Sequence, residues 1–257
     1  MKIKAIHFLN KCLLVSILLI FTLTLSMRCS SQNNIQLIKK EDQVDIIYNG
    51  QIVTSYLHGN HLLKPCLYPV KSTSGEIVTR SYPFKKVEGE STDHKHHTGA
   101  YFTYGSKDEV NGDGYWNTKD GTNKIQHVKI IDAGSANGKG KLLTLSHWIN
   151  SNKQPILKER RLMEFHSFSD DEYKIDFTIH LFAIDTLVTF KDTKEGMFAI
   201  RVADWLAENA KGNLYKSTGE YLNAQGERTE KNIWGKQSSW VRLQGKKEQD
   251  FKNYCKQ

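Results

Sequence analysis

An all-β sandwich is the fold class this sequence predicts. Three observations carry it. Short apolar runs of strand length recur along the chain, parted by polar turns. Within them apolar and polar residues alternate with period two. In Tyr173 to Ala183, for instance, Ile175, Phe177, Ile179 and Leu181 fall on one face, and Lys174, Asp176, Thr178 and His180 on the other. Helical periodicity is nearly absent; only Arg201 to Ala210 reads as a short helix.

Residues 1–29 read as a secretory leader. Lys2, Lys4 and Lys11 form its positive end, and the apolar stretch Leu13 to Leu25 is short for a spanning helix. Cys29, followed by the polar run Ser30 to Asn34, is a candidate for lipid modification, although Arg28 stands where a small residue is expected. The expected location is therefore export, either periplasmic or held at a membrane through the leader or a lipid anchor. Without Lys2, Lys4, Lys11 and Arg28, 32 basic residues face 28 acidic ones, a balance of +4. That charge is mild and scattered, which argues against nucleic acid as a partner. Of the four cysteines, Cys66 and Cys255 remain beyond the leader, and one possible pair makes no disulfide framework. The roughly 225 residues after the leader suit one large all-β domain. It is expected over 30–245, with 246–257 as an atypical polar tail.

The strands follow in order. Val44 to Tyr48 and Gln51 to Tyr56 flank Asn49-Gly50, whose tolerance of positive φ suits a type I′ hairpin turn. Pro65 to Val70 and Glu76 to Arg80 flank Ser72 to Gly75 and read as a second hairpin. Ala100 to Tyr104 is a further strand. Lys124 to Ile131 alternates and then breaks over Asp132 to Gly140. Leu142 to Ile149, Ile156 to Phe168, Tyr173 to Ala183, Phe198 to Val202 and Ile233 to Leu243 complete the set.

The densest chemistry lies between Gly89 and Gly105. Asp93, His94, His96 and His97 place one carboxylate and three imidazoles within five positions, in a chain with ten histidines. If the stretch is extended, His94 and His96 share a face and can offer two neutral nitrogens to a divalent metal. If it is a tight turn, all three rings converge. A polar loop of solvated histidines is the bland alternative. A cupin site is excluded, because Ala100 and Tyr101 stand where its glutamate would follow His-x-His. No Gly-x-Ser-x-Gly elbow, Walker loop or Rossmann fingerprint occurs.

Several stretches together resemble one family. They include Lys64 to Val70, Val78 to Pro83, Asp93 to Gly99, Val110 to Trp116, Glu159-Arg160-Arg161, Asp192 to Gly196, Ile200-Arg201-Val202 and Trp234-Gly235-Lys236. In this combined order the chain resembles, from about residue 35 to 243, the exported bacterial PmoA-like family labelled "methane oxygenase PmoA". No apolar run after the leader approaches the roughly 18 residues a membrane span requires, so methane oxidation by a multi-span protein is set aside. The resemblance implies a galactose-mutarotase-like supersandwich and a carbohydrate or other small-molecule ligand. It also implies a longer C-terminal ending, so Lys246 to Gln257 reads as a truncation, with an impaired copy as one outcome. Lys95 and Asp113 to Trp116 depart from the family pattern.

On this basis His94, His96, His97, Glu195 and Arg201 are the candidate catalytic residues. Glu195 sits on a loop, where a carboxylate can serve as base or ligand. Arg80, Trp116 and Glu159 are candidate substrate-binding residues: Arg80 at a strand end, Trp116 as an aromatic wall for a sugar ring, Glu159 as ligand or ion-pair partner. His94 and His96 are the candidate ligands of one divalent metal ion. The expected function is carbohydrate chemistry by His/Glu acid–base or metal-assisted steps. The alternative is a non-catalytic glycan-binding lipoprotein.

Overall fold

The computed structural model describes residues 35–117, 122–169, 171–185 and 187–248. The leader with Cys29, and Cys255 in the tail, lie outside them. The described residues are almost all β, and two antiparallel sheets pack face to face, as the strand pattern predicts. The first sheet has the order β1 (Ile35–Lys39), β2 (Gln43–Tyr48), β3 (Gln51–Leu57), β4 (Cys66–Leu67), β5 (Ala100–Phe102), β10 (Phe198–Ile200). The second runs β6 (Lys124–Ala136), β7 (Lys139–Ile149), β8 (Pro155–Ser169), β9 (Glu172–Ala183). A separate ribbon pairs β11 (Glu220–Asn223) with β12 (Val241–Gln244), and a single turn of helix, α1, spans Glu230–Ile233.

Alternation builds the core. On β7, Gly140, Leu142, Thr144, Ser146 and Trp148 point inward; on β8, Leu157, Glu159, Arg161, Met163 and Phe165 do. They meet Val44, Ile46, Tyr48, Val53 and Tyr56 of the first sheet. Gly140 has no side chain for a packing reason: a Cβ there would lie 2.6 Å from Ile35 and 2.7 Å from Leu37, where β1 closes over β7. Asn49-Gly50 makes the expected hairpin turn, with φ of 48° and 81°.

Four expectations are corrected. β6 does not break at Asp132. It continues to Ala136, absorbing two register shifts, and turns at Asn137-Gly138, with φ of 52° and 72°. The second hairpin forms at its turn, with Gly75 N–H donating to Ser72 O and Lys71 bridging antiparallel to Ile77, but its arms part beyond Val70 and Val78. Cys66–Leu67 joins β3 and β5, while Thr79 bridges to Val202. Arg201 to Ala210 makes no regular helix, because Arg201 to Ala203 are held in extended pairing with Val78 to Arg80. Ile233 to Leu243 is not one strand; only Val241 onward pairs, with β11, which the sequence pattern did not reveal. The first tail residues are tethered: Lys246 N–H donates to Thr218 Oγ1, Lys247 pairs with Glu76, and Glu248 with Lys216.

Candidate functional site

The site is assembled on the outer face of the first sheet. On β5, Ala100 and Phe102 face the core, so Tyr101 must face outward. Cys66 and Ala199 lie directly opposite Tyr101 and share that face. There they form a small cluster with Trp116, flanked by Leu57, Tyr68 and Phe84. The histidine stretch lies over it. His94 takes a left-handed φ of 45°, and His97 N–H donates to His94 O at 2.9 Å, so the stretch is a tight turn and not a strand. All three rings converge. His94 and His97 stack at 4.9 Å and 11°, and His96 meets His97 edge-on at 4.4 Å. Gly99 seats the turn against the sheet. It has φ of 62°, and a Cβ would come within 2.2 Å of the Leu67 carbonyl oxygen.

Asp93 is the hub. Its Oδ1 accepts from Arg80 Nη1 and from Arg201 Nη2, each at 2.7 Å. Its Oδ2 lies 2.8 Å from His94 Nδ1 and 3.5 Å from Lys211 Nζ. Burial opposes ionisation, yet the His94 hydrogen bond and the Arg201 and Arg80 charges hold the Asp93 carboxyl down at about 2. Asp93 is therefore a carboxylate at neutral pH. His94 Nδ1–H donates to it, which leaves the ring's lone pair on Nε2. Arg80 is fully buried and also donates to the carbonyls of Tyr82, His94 and His97, so it ties the turn from beneath. Burial, then the Lys64 and His94 charges, lowers His96 to about 4. Burial, then His96 and Arg201, lowers His97 to about 3. Both rings are neutral at pH 7 and can donate or accept a hydrogen bond.

Most of the expected residues meet here. His94, His96 and His97 sit with Arg201 through Asp93. Arg80 is present, but as the support of the turn rather than on its open side. Trp116 is 9% exposed; its ring abuts His97 at 5.6 Å and Tyr101 at 5.5 Å, so it forms the floor and offers no open stacking wall. Glu195 lies on the loop before β10, partly exposed, with Lys194 Nζ 3.9 Å away, and its charge acts on Tyr101. Glu159 is not brought to the site. Alternation on β8 turns it into the core, where it accepts from Trp148 Nε1 at 2.8 Å and pairs with Arg161 at 2.6 Å. Its role is a buried ion pair, not ligand binding. The metal expectation also gains no support from the geometry. His94 Nδ1 is taken by Asp93, and among the described residues no three His, Cys, Asp or Glu side chains group as ligands.

Two residues were missed. Lys64 is 3% exposed; its Nζ donates to Trp116 O at 2.9 Å and stands 4.6 Å above the Tyr101 ring. Burial lowers it to about 8. Tyr101 has a buried hydroxyl with no partner among the described residues, and burial raises its pKa. Lys64 opens the family-like stretch Lys64 to Val70 just ahead of the strand read at Pro65, and Tyr101 lies in Ala100 to Tyr104, which read as a plain strand. Beside His96 opens a cleft of about 150 Å³, lined by Lys64, Phe84 and Lys95 among others.

Fold and site define a two-sheet β protein whose polar centre lies on an outer sheet face. The chain belongs to the family described as "Family of unknown function (DUF6807)", which matches residues 43–253 and so extends into the polar tail. No curated protein and no solved structure gives a match.

Proposed function

We propose that this is an exported protein that acts on a sugar or glycoside by proton transfer at the Asp93–His94 pair. One observation carries the reading. A carboxylate fixed by two arginines orients one imidazole of a three-histidine turn, in the arrangement by which a general base is held in one tautomer. Neutral His96 and His97 supply hydrogen bonds to a reacting oxygen. Glu195, on the loop near Tyr101, is the second carboxylate that acid–base chemistry at a sugar carbon uses. The link to the PmoA-like family and to galactose-mutarotase-like sandwiches belongs to the same proposal, as does the exported location. It supports carbohydrate over methane as the substrate class.

The test is turnover of a panel of glycosides and free sugars followed by NMR. His94→Gln should lower the rate by about 10²–10⁴-fold, with circular dichroism unchanged because His94 is half-exposed. Binding that survives without any turnover would replace catalysis with a glycan-binding role. A bound divalent ion near one equivalent, lost in His94→Gln, would restore the metal-assisted form.

A further inference from the structure

The cleft beside His96 carries two lysines and no carboxylate. His61, Lys64, Lys95 and His96 line it together with Leu62 and Phe84. Lys64 is the notable member. Among the described residues its Nζ has one acceptor, the neutral carbonyl of Trp116, and makes no ion pair. A buried ammonium without a counter-charge is costly. The neighbouring centre does not supply one. Asp93 is already shared by Arg80, Arg201, Lys211 and His94. Cations thus outnumber anions across the turn and the cleft. The cleft also has an apolar side: Phe84 packs at 4.4 Å on Tyr68, beside Leu62. Its volume suits one substituent and the near part of a ring.

We propose that this cleft receives the negatively charged substituent of an acidic sugar, a uronate carboxylate or a sulfate ester, with Lys64 as the buried counter-charge and Lys95 at the rim. This rests on the carbohydrate reading of the adjoining Asp93–His94 centre. The anion completes the hydrogen bonding of Lys64, and the ring it carries is placed over the histidine turn. Charge-assisted hydrogen bonds of this kind are the stronger ones.

Calorimetric titration of the purified protein with matched methyl glycosides tests it: glucoside, glucuronide and 6-sulfate, with the galacto and manno counterparts. At least one acidic member should bind about tenfold or more tighter than its neutral twin, with the advantage shrinking as salt is raised. Which anion wins separates carboxylate from sulfate. Lys64→Gln and Lys95→Gln should each reduce the ratio of acidic-twin to neutral-twin affinity. Lys95 is exposed, so its variant and the salt dependence remain decisive even where Lys64→Gln fails to fold. Equal binding of neutral and acidic twins overturns the anion proposal and leaves the carbohydrate reading standing. Binding of simple carboxylates such as benzoate, with no sugar bound, overturns both, as does the absence of any binding.

Discussion

Asp93 and its three histidines set the behaviour of the site with pH. His96 and His97 hold their protons more weakly in the fold than in the unfolded chain, at about 4 and about 3 against an ordinary 6.5. His127 is likewise lowered to about 4, by burial first, then by His58 at a ring distance of 4.2 Å and by Arg161. Below pH 6.5 the unfolded chain therefore takes up protons that the native chain refuses, and stability falls with acid. The loss begins near 6.5 and continues to about 3. Asp93 extends it in the same direction from its ordinary 3.8 toward 2, because its carboxylate form is the one the fold holds. The urea midpoint should drop between pH 7 and pH 4.5, and His97→Gln should flatten that drop. A midpoint indifferent to pH in this range contradicts the packing described for the turn.

At the scale of single elements, β8 carries the sharpest energetic feature. Its inward face holds Glu159 and Arg161 between apolar Leu157 and Met163. Glu159→Gln leaves a guanidinium unpaired in the core and should cost about 3–5 kcal/mol in chemical denaturation. The joint change Glu159→Met with Arg161→Leu should recover most of it, since an apolar pair removes both charges. The same strand shows what sequence could reveal. The alternation of Ile156 to Phe168 fixed the strand and placed Glu159 and Arg161 on one face, but not whether that face met the other sheet or a ligand. The β2–β3 hairpin was legible because Asn49-Gly50 is a local signal. Asn137-Gly138 carried the same signal but lay in a polar stretch that read as a loop. The convergence of the three rings was legible as one of two outcomes. The hub was not, because Arg201 meets Asp93 across 108 positions of sequence, and no local period encodes such a meeting. Lys64 stayed hidden for a related reason: its burial is created by Trp116 and Tyr101, from two other segments.

Across the whole sandwich, four strands cover a sheet of six, and the cover runs out at β10. Phe198 and Ile200 face inward, opposite Phe102 and Ala100, yet are 45% and 53% exposed. Phe177 of β9 reaches Phe198, at 4.8 Å. Backbone amide exchange should therefore be slowest in β7 and β8, paired on both sides, and much faster in β10, which has one partner strand and an open face. Uniform protection across these strands would contradict this picture. Arg201 follows β10 directly; its amide donates to Gly99 O and its carbonyl accepts from Arg80 N–H. The histidines leave the ribosome early, but the arginine that fixes their carboxylate arrives about a hundred residues later, at the end of an edge strand. A chain folded only as far as β9 would hold every histidine and lack the guanidinium that helps fix Asp93. Completion of the Asp93 hub is thus a report that the last strand of the sheet has closed.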